Sequence, residues 1–212
     1  MRGPFVFEGG SHAAAVPMLH VSHAHGWVLL SLVLAFVSCC AAFYMAHSNR
    51  YATTRMHRWV SLLCASMVLG LGIWSMHFIG MLAMRLPLTV SYGTWGTLAS
   101  ILPGILAAFL ALLALRMESP TYGRIALSGA IVGLGIACMH YSGIAAMHLA
   151  GRIQFEPGLF LLSCVLGVLL ASLAFACHSW LLRHQRLRTT GYALMLPSAL
   201  MTGAFALSLI HI

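Results

Sequence analysis

Six apolar blocks, each long enough to cross a bilayer as a helix, leave few folds open to this chain. A hydrocarbon core of about 30 Å is crossed by roughly 20 helical residues, and a backbone in lipid must satisfy its own hydrogen bonds. The sequence therefore predicts an all-α, polytopic membrane bundle of about six transmembrane helices. The predicted spans are residues 26–46, 59–84, 94–115, 125–148, 158–182 and 191–211.

The charge content supports a membrane protein and argues against most other classes. Only 7% of the residues are charged, whereas about a quarter are charged in a soluble domain. There is no lysine or aspartate, and the three acids are Glu8, Glu118 and Glu156. No acid pair, Ser/His/acid set or glycine-rich phosphate loop is apparent, so we predict no enzymatic activity. We also expect no nucleic-acid binding, because the eleven arginines are scattered between apolar blocks.

The arginines predict how the bundle is oriented. The loops after the first, third and fifth spans hold eight arginines and the opposite side holds three. The positive-inside rule then places both termini outside the cytoplasm. Residues 1–25 lack a continuous apolar core and contain several histidines, so we expect a histidine-containing extracytoplasmic tail before one transmembrane domain over residues 26–212.

Two of the predicted spans carry nearly the same sequence motif. Residues 69–84 read LGLGIWSMHFIGMLAM and residues 132–147 read VGLGIACMHYSGIAAM, identical at nine of sixteen positions with a constant offset of 63. Such self-similarity predicts an internal two-span repeat, in which one structural unit is used twice. The repeated glycines form small-residue faces that let helices pack closely, and we assign them no chemistry.

The repeated Met-His pairs are harder to explain by packing alone. Histidine in a span is costly and usually faces the bundle interior, and each copy follows it with methionine about two turns later. Thioether with imidazole is a ligand set that suits Cu(I), so we predict a copper site near the outer leaflet. The candidate metal ligands are Met76, His77, Met81, Met84, Met139, His140, Met147, His148, His25 and His211.

At these residues the chain resembles the MHYT family of bacterial inner-membrane sensor modules. WSMHFIGMLAMRLP and CMHYSGIAAMH are similar to the first two motifs of that family, with Tyr141 at its tyrosine and Ser142 in place of its threonine. The resemblance implies copper held by Met76, His77, Met139 and His140 near the periplasmic face. It also implies a response to oxygen, carbon monoxide, nitric oxide or redox state, relayed to a cytoplasmic or membrane signalling partner.

This sequence departs from the family pattern at one motif. The family has a third motif in its sixth span, followed by a seventh span and an output domain. Here residues 198–212 read SALMTGAFALSLIHI, in which His211 is the only candidate. A stand-alone module and a piece of a longer chain both remain open.

Two other functions use the same residues. In the first, the methionines and histidines relay copper across the bilayer, which requires soft ligands along its full depth. In the second, His77 and His140 are axial ligands of a haem. The copper-binding sensory module remains the leading prediction.

Overall fold

The computed structural model describes residues 5–7, 22–49, 53–85, 90–115, 121–149, 153–155, 157–183 and 196–203. Helices dominate these ranges, and short strands lie between them. The helices are α1 (His25–Ser48), α2 (Arg55–Leu82), α3 (Thr94–Ala99), α4 (Ile101–Ala114), α5 (Tyr122–Ala145), α6 (Pro157–Arg183) and α7 (residues 196–203).

The predicted all-α membrane bundle is confirmed. Within the described ranges, five helical stretches are long and apolar enough to cross a membrane: His25–Ser48, Arg55–Leu82, Thr94–Ala114, Tyr122–Ala145 and Leu161–Leu181. They correspond to the first five predicted spans. Of the sixth, residues 196–203 are helical and the remainder lies outside the described residues, so its full extent stays a prediction.

The third span is interrupted where a proline predicts a kink. The α-helical pattern breaks at Ser100, three residues before Pro103. Proline has no N–H to donate to the carbonyl four residues earlier, and its ring crowds that carbonyl. The side chain of Ser100 is buried and donates a 2.7 Å hydrogen bond to the Thr97 carbonyl. At this break, the buried Ser100 hydroxyl therefore lies in the bundle interior.

Helices α2 and α5, which carry the repeat, lie at the centre of the bundle. Helix α2 packs mainly on α1 and α4, and α5 packs mainly on α4 and α6. Both begin at a threonine cap: Thr54 accepts from the His57 N–H and Thr121 from the Arg124 N–H. Half of the apolar stretch of each is buried, more than in the other spans.

Glycines allow these close contacts, as the repeat predicts. A Cβ on Gly70 would lie 2.6 Å from the Ile105 Cα of α4, and one on Gly133 would lie 2.8 Å from the Val168 Cα of α6. Neither neighbour can move easily, because both contacts involve backbone atoms. Close helix packing in lipid, where no hydrophobic force pulls helices together, depends on such small residues.

Short strands join the helices at one end of the bundle. They are β1 (Phe5–Phe7), β2 (Ser22–His23), β3 (Met84–Arg85), β4 (Val90–Tyr92), β5 (Met147–Leu149) and β6 (Ile153–Phe155). The pairs β2–β3 and β4–β5 are antiparallel, whereas β1–β6 is parallel. We call this end, where α2 and α5 finish, the strand end. The opposite end, where α1, α4 and α6 finish, is called the arginine-rich end.

Candidate metal centre

The histidines of the two repeats meet inside the bundle. His77 on α2 and His140 on α5 are exposed by only 1% and 2% of their surfaces. Their Nδ1 atoms lie 3.1 Å apart, and their ring centroids are 4.6 Å apart at an interplanar angle of 60°. Residues 63 positions apart in the sequence, which is the constant offset of the repeat, therefore form one direct contact.

A glycine makes room for this pair. A Cβ on Gly143 would lie 2.9 Å from His77 Nε2 and 3.3 Å from its Cδ2. The His77 ring therefore packs against the backbone of α5, one turn after His140. Any larger residue at Gly143 would push the ring away. Within the described part of the chain, His77 Nε2 has no hydrogen-bond partner.

Aromatic and hydroxyl side chains brace α2 beside the pair. The Trp74 indole N–H donates to Ser100 Oγ at 3.1 Å, which ties α2 to the break between α3 and α4. Trp74 also stacks on Phe78, with ring centroids 5.2 Å apart. The buried Ser100 hydroxyl therefore accepts from the Trp74 indole and donates to the Thr97 carbonyl, and these two hydrogen bonds fix its position. These contacts set the rotation of α2 near His77.

The tyrosine and serine that follow His140 have different surroundings. The Tyr141 ring meets the His140 ring edge-on, with centroids 5.0 Å apart at 87°. Ser142 Oγ donates to the Met139 carbonyl of its own helix at 2.9 Å. The Tyr141 ring thus packs against the His140 imidazole, whereas the Ser142 hydroxyl bonds to a backbone carbonyl of its own helix.

The candidate methionines divide into two groups. Met76 and Met139, each next to a histidine, are fully buried in the main core. The others lie further towards the strand end in a second cluster, which also includes Ile144, Val90, Tyr92 and Tyr141. Burial raises the pKa of the Tyr92 phenol, so it remains neutral at physiological pH. The second group of methionines is Met81, Met84 and Met147.

The remaining predicted ligands are not enclosed with the pair. His25, the first residue of α1, and His148, on β5, are both exposed. The His148 ring lies over Gly93, where a Cβ would be 3.2 Å from its Nε2. His211 lies outside the described residues. The structure therefore joins His77 and His140 in the interior and leaves His25 and His148 at the surface.

The Nδ1 separation of the pair is that of a hydrogen bond between two imidazoles, and it is slightly shorter than a shared metal ion would set. Two imidazole nitrogens at 2.0–2.1 Å from a tetrahedral ion lie about 3.3–3.4 Å apart, close to the observed 3.1 Å. Among the described residues, no three His, Cys, Asp or Glu side chains lie close enough together to hold a metal ion. Met76 and Met139 are the predicted thioether donors that adjoin the histidines in the sequence, and both are buried. A donor set of imidazole and thioether fits copper.

Gly143, Ser100 and Trp74 were not predicted as parts of this site. The repeat marks Gly143 through its identity with Gly80, but packing is sufficient to explain a repeated glycine. Ser100 and Trp74 belong to no repeated phrase. Only the crossing of α2 with the break at Ser100 brings them to the histidines.

Comparison with known proteins identifies the repeat. The sequence profile of a family described as MHYT, a bacterial signalling protein N-terminal repeat, matches residues 70–128 and 133–194. The chain is 33% identical over 183 residues to the cyclic di-GMP phosphodiesterase NbdA of Pseudomonas aeruginosa, covering 82% of this chain and 22% of that protein. No solved structure matches the chain significantly.

Two other signalling proteins show similar likeness. The chain is 36% identical over 172 residues to MucR, a bifunctional diguanylate cyclase/cyclic di-GMP phosphodiesterase of Pseudomonas aeruginosa, covering 79% of this chain and 24% of that protein. It is 30% identical over 152 residues to the signalling protein YkoW of Bacillus subtilis, covering 71% and 18%. The chain thus spans about a quarter or less of the length of these relatives, whose names describe much longer proteins.

Proposed function

Because the chain belongs to the MHYT family of bacterial signalling proteins, we propose that it senses its signal through copper held by His77 and His140. The coarser function follows from the family and the apolar helices: the chain is a multi-pass membrane sensory module. It corresponds to the sensor region of its relatives, not to an enzymatic domain. The proposal adds the ion, the ligands and the signal.

One observation carries the proposal: two buried imidazoles, one from each repeat, have their Nδ1 atoms 3.1 Å apart, a few tenths of an ångström less than the separation that a shared ion would set. Burying two histidines costs free energy in a span, and an ion would use both. Met76 and Met139 precede these histidines in the sequence and are fully buried in the main core, and we propose that they supply thioether as the additional donor type. When bound, copper would supply a redox-active centre with affinity for oxygen, carbon monoxide or nitric oxide.

The surrounding residues would convert a change at this centre into helix movement. His77 is fixed to α2 and His140 to α5, and both helices pack on α4. A change in ligand distance therefore acts on two helices that share a neighbour. Trp74 and Ser100 resist rotation of α2, so we expect the response to be a tilt or shift of the whole helix.

Localisation and orientation are also part of the proposal. We place the module in the bacterial inner membrane with the strand end, and with it the histidine pair, towards the periplasm. The positive-inside rule supports this orientation, since Arg55, Arg58 and Arg124 lie at the opposite end. A signalling partner or output domain would then read the position of the helices on the cytoplasmic side.

The other two functions receive less support. Transport needs ligands along the whole depth, but the described core between the histidines and the arginine-rich end is lined largely by apolar residues such as Ala65, Leu69, Val132 and Ile136. Haem needs a porphyrin between its axial ligands, and the His77 and His140 rings contact each other directly. Both remain untested predictions.

Metal analysis of purified protein tests the site. After anaerobic loading with Cu(I) and desalting, we expect the wild-type chain to retain copper and a His77→Ala/His140→Ala variant to lose it. A His57→Ala/His148→Ala variant is the matched control, because it removes two exposed histidines and should keep wild-type copper. Equal copper in all three proteins would reject the proposal.

A further inference from the structure

A second polar site lies at the arginine-rich end, far from the histidine pair along the helices. A cavity of about 190 Å³ opens there between α1, α2, α4 and α6. Its lining combines aromatic and aliphatic side chains with four polar ones. The polar lining residues are Asn49, Arg58, His178 and Ser179.

The wall of this cavity is ordered by aromatic contacts. The Phe43 ring of α1 meets the Phe175 ring of α6 edge-on at 5.9 Å and the His178 ring at 4.7 Å. His178 is 7% exposed and Phe175 is fully buried. The imidazole is therefore held at the cavity with one face against an aromatic ring, in a position that cannot swing out to solvent.

Asn49 is the residue that packing does not explain. It caps α1, is only 9% exposed and lines the cavity. Its Oδ1 atom has no hydrogen-bond partner among the described residues. A buried polar atom without a partner costs free energy, and a buried acceptor beside a polar cavity can be satisfied by a donor that enters the cavity.

Arg58 supplies hydrogen-bond donors and a positive charge, whereas Asn49 Oδ1 is an acceptor. It lies in the first turns of α2 and lines the same cavity, yet keeps a large exposed surface. A guanidinium has five donors and pairs with phosphate through parallel hydrogen bonds. The cavity thus presents donors for an anion at Arg58 and an acceptor at Asn49.

We propose that this cavity binds a phosphate group that carries its own hydrogen-bond donor, as in an aminoalkyl phosphate headgroup. The phosphate oxygens accept from Arg58, and the attached ammonium or hydroxyl donates to Asn49 Oδ1. Basic pockets between transmembrane helices on the cytoplasmic side are a general location for lipid headgroups. This inference does not depend on the copper site.

The size of the cavity limits the ligand. Sites that enclose a whole drug-sized molecule measure about 300–1,000 Å³, and this cavity is smaller. It fits one phosphate with a short substituent, whereas a nucleotide would not be enclosed. A phospholipid headgroup and a free phosphate ester share this chemistry, and the experiment must separate them.

Native mass spectrometry of the delipidated full chain in detergent provides the test. The probes are phosphatidylethanolamine, which has ammonium N–H donors, phosphatidylcholine, which has none on its nitrogen, and inorganic phosphate. We expect phosphatidylethanolamine to be retained at least about fivefold more than phosphatidylcholine. Arg58→Gln and Asn49→Leu should each weaken retention about tenfold, the loss expected when one charged or buried hydrogen bond is removed.

Arg55→Gln is the matched control, because Arg55 lies three residues from Arg58 on the same exposed helix start but does not line the cavity. It should retain lipid as the wild type does. If inorganic phosphate alone stabilises the chain against heat, with the same dependence on Arg58, the phosphate chemistry holds and its source is soluble. Equal retention of the two lipids without stabilisation by inorganic phosphate, no binding of any probe, or equal behaviour of Arg58→Gln and Arg55→Gln would overturn the proposal. Copper content, measured in parallel, should not change in these variants.

Discussion

His77 Nδ1 and His140 Nδ1 lie 3.1 Å apart, although their residues come from two different copies of one sequence repeat. Helices α2 and α5 both run from the arginine-rich end to the strand end, so the repeat is parallel. Equivalent atoms of two parallel copies can meet only near the axis that relates the copies. A ligand bound there contacts both copies in the same way, which makes it sensitive to their relative position.

The first prediction concerns the glycine beside His77. Gly143→Ala should weaken copper binding about 10-fold, the lower end of the effect of disturbing groups that orient metal ligands. The new methyl group would lie 2.9 Å from His77 Nε2, and the enclosed ring can yield only by moving its Nδ1. Competition with a colorimetric Cu(I) chelator measures the affinity.

Gly167→Ala on α6 is the control, because a Cβ there meets nothing within 4 Å. It should bind copper as the wild type does. Equal affinities for Gly143→Ala and the wild type would mean that the position of the His77 ring does not determine binding.

The second prediction concerns packing of α5 on α6. Gly133→Ala should lower the free energy of unfolding by about 1–3 kcal/mol, the usual cost of overpacking, since its Cβ would lie 2.8 Å from the Val168 backbone. Gly123→Ala has open space around the new Cβ and should not destabilise. Unfolding in a sodium dodecyl sulfate titration gives both values, and equal destabilisation by the two would contradict the close packing of α5 on α6.

The third prediction concerns a hydrogen bond between helices. Ser128 Oγ on α5 donates to the Ala111 carbonyl on α4 at 3.1 Å in a buried position. Ser128→Ala should cost about 0.6 kcal/mol, the average for such bonds in membrane proteins, and at most about 1.7 kcal/mol. Ser66 is equally buried but bonds to Leu62 within its own helix, so Ser66→Ala should cost less. The same unfolding titration distinguishes them, and a larger loss for Ser66→Ala would be inconsistent with this assignment.

The fourth prediction concerns orientation. Trp95, near the strand end, is 85% exposed, and Met56, at the arginine-rich end, is 75% exposed. In a background without the six native cysteines, Trp95→Cys should react with a membrane-impermeant maleimide added to intact cells, after opening of the outer membrane where one is present. Met56→Cys should react only after lysis. The reverse pattern would invert the proposed topology and place the histidine pair near the cytoplasm.

The central part of the fold could be predicted from sequence because the bilayer imposes a single length scale. Five of the spans follow from apolar length alone. The constant offset of 63 marks His77 and His140 as equivalent positions on helices that run the same way, whereas their contact is seen only in the structure. Pro103 likewise gives the break in the third span through its missing N–H. Each of these properties belongs to local sequence.

The details of the site depend on contacts that have no local signal. Nothing near Ser100 in the sequence indicates that it meets Trp74, because that contact depends on how α2 crosses α4. Helix α2 ends at Leu82, so Met84 lies on β3 and does not follow the helical period of His77. The division of the methionines between two clusters has no local signal either. The exposure of His148 follows from its pairing with Ser91 in β5 and β4, and strands of three residues leave almost no sequence pattern.

The short strand pairs have a mechanical consequence. They tie neighbouring helices together by backbone hydrogen bonds at one end, such as the 2.9 Å bond from the Ala24 N–H to the Ala83 carbonyl. His77 lies close to that fastened end, and Arg55 begins the same helix about 33 Å away at 1.5 Å per residue. A tilt of about 5° pivoting at Ala83, in the fastened end, would move the His77 backbone, about 9 Å from the pivot, by about 0.8 Å, and Arg55, about 42 Å from the pivot, by about 4 Å. A sub-ångström event at the imidazoles would thus be amplified into a displacement that a neighbouring domain can detect.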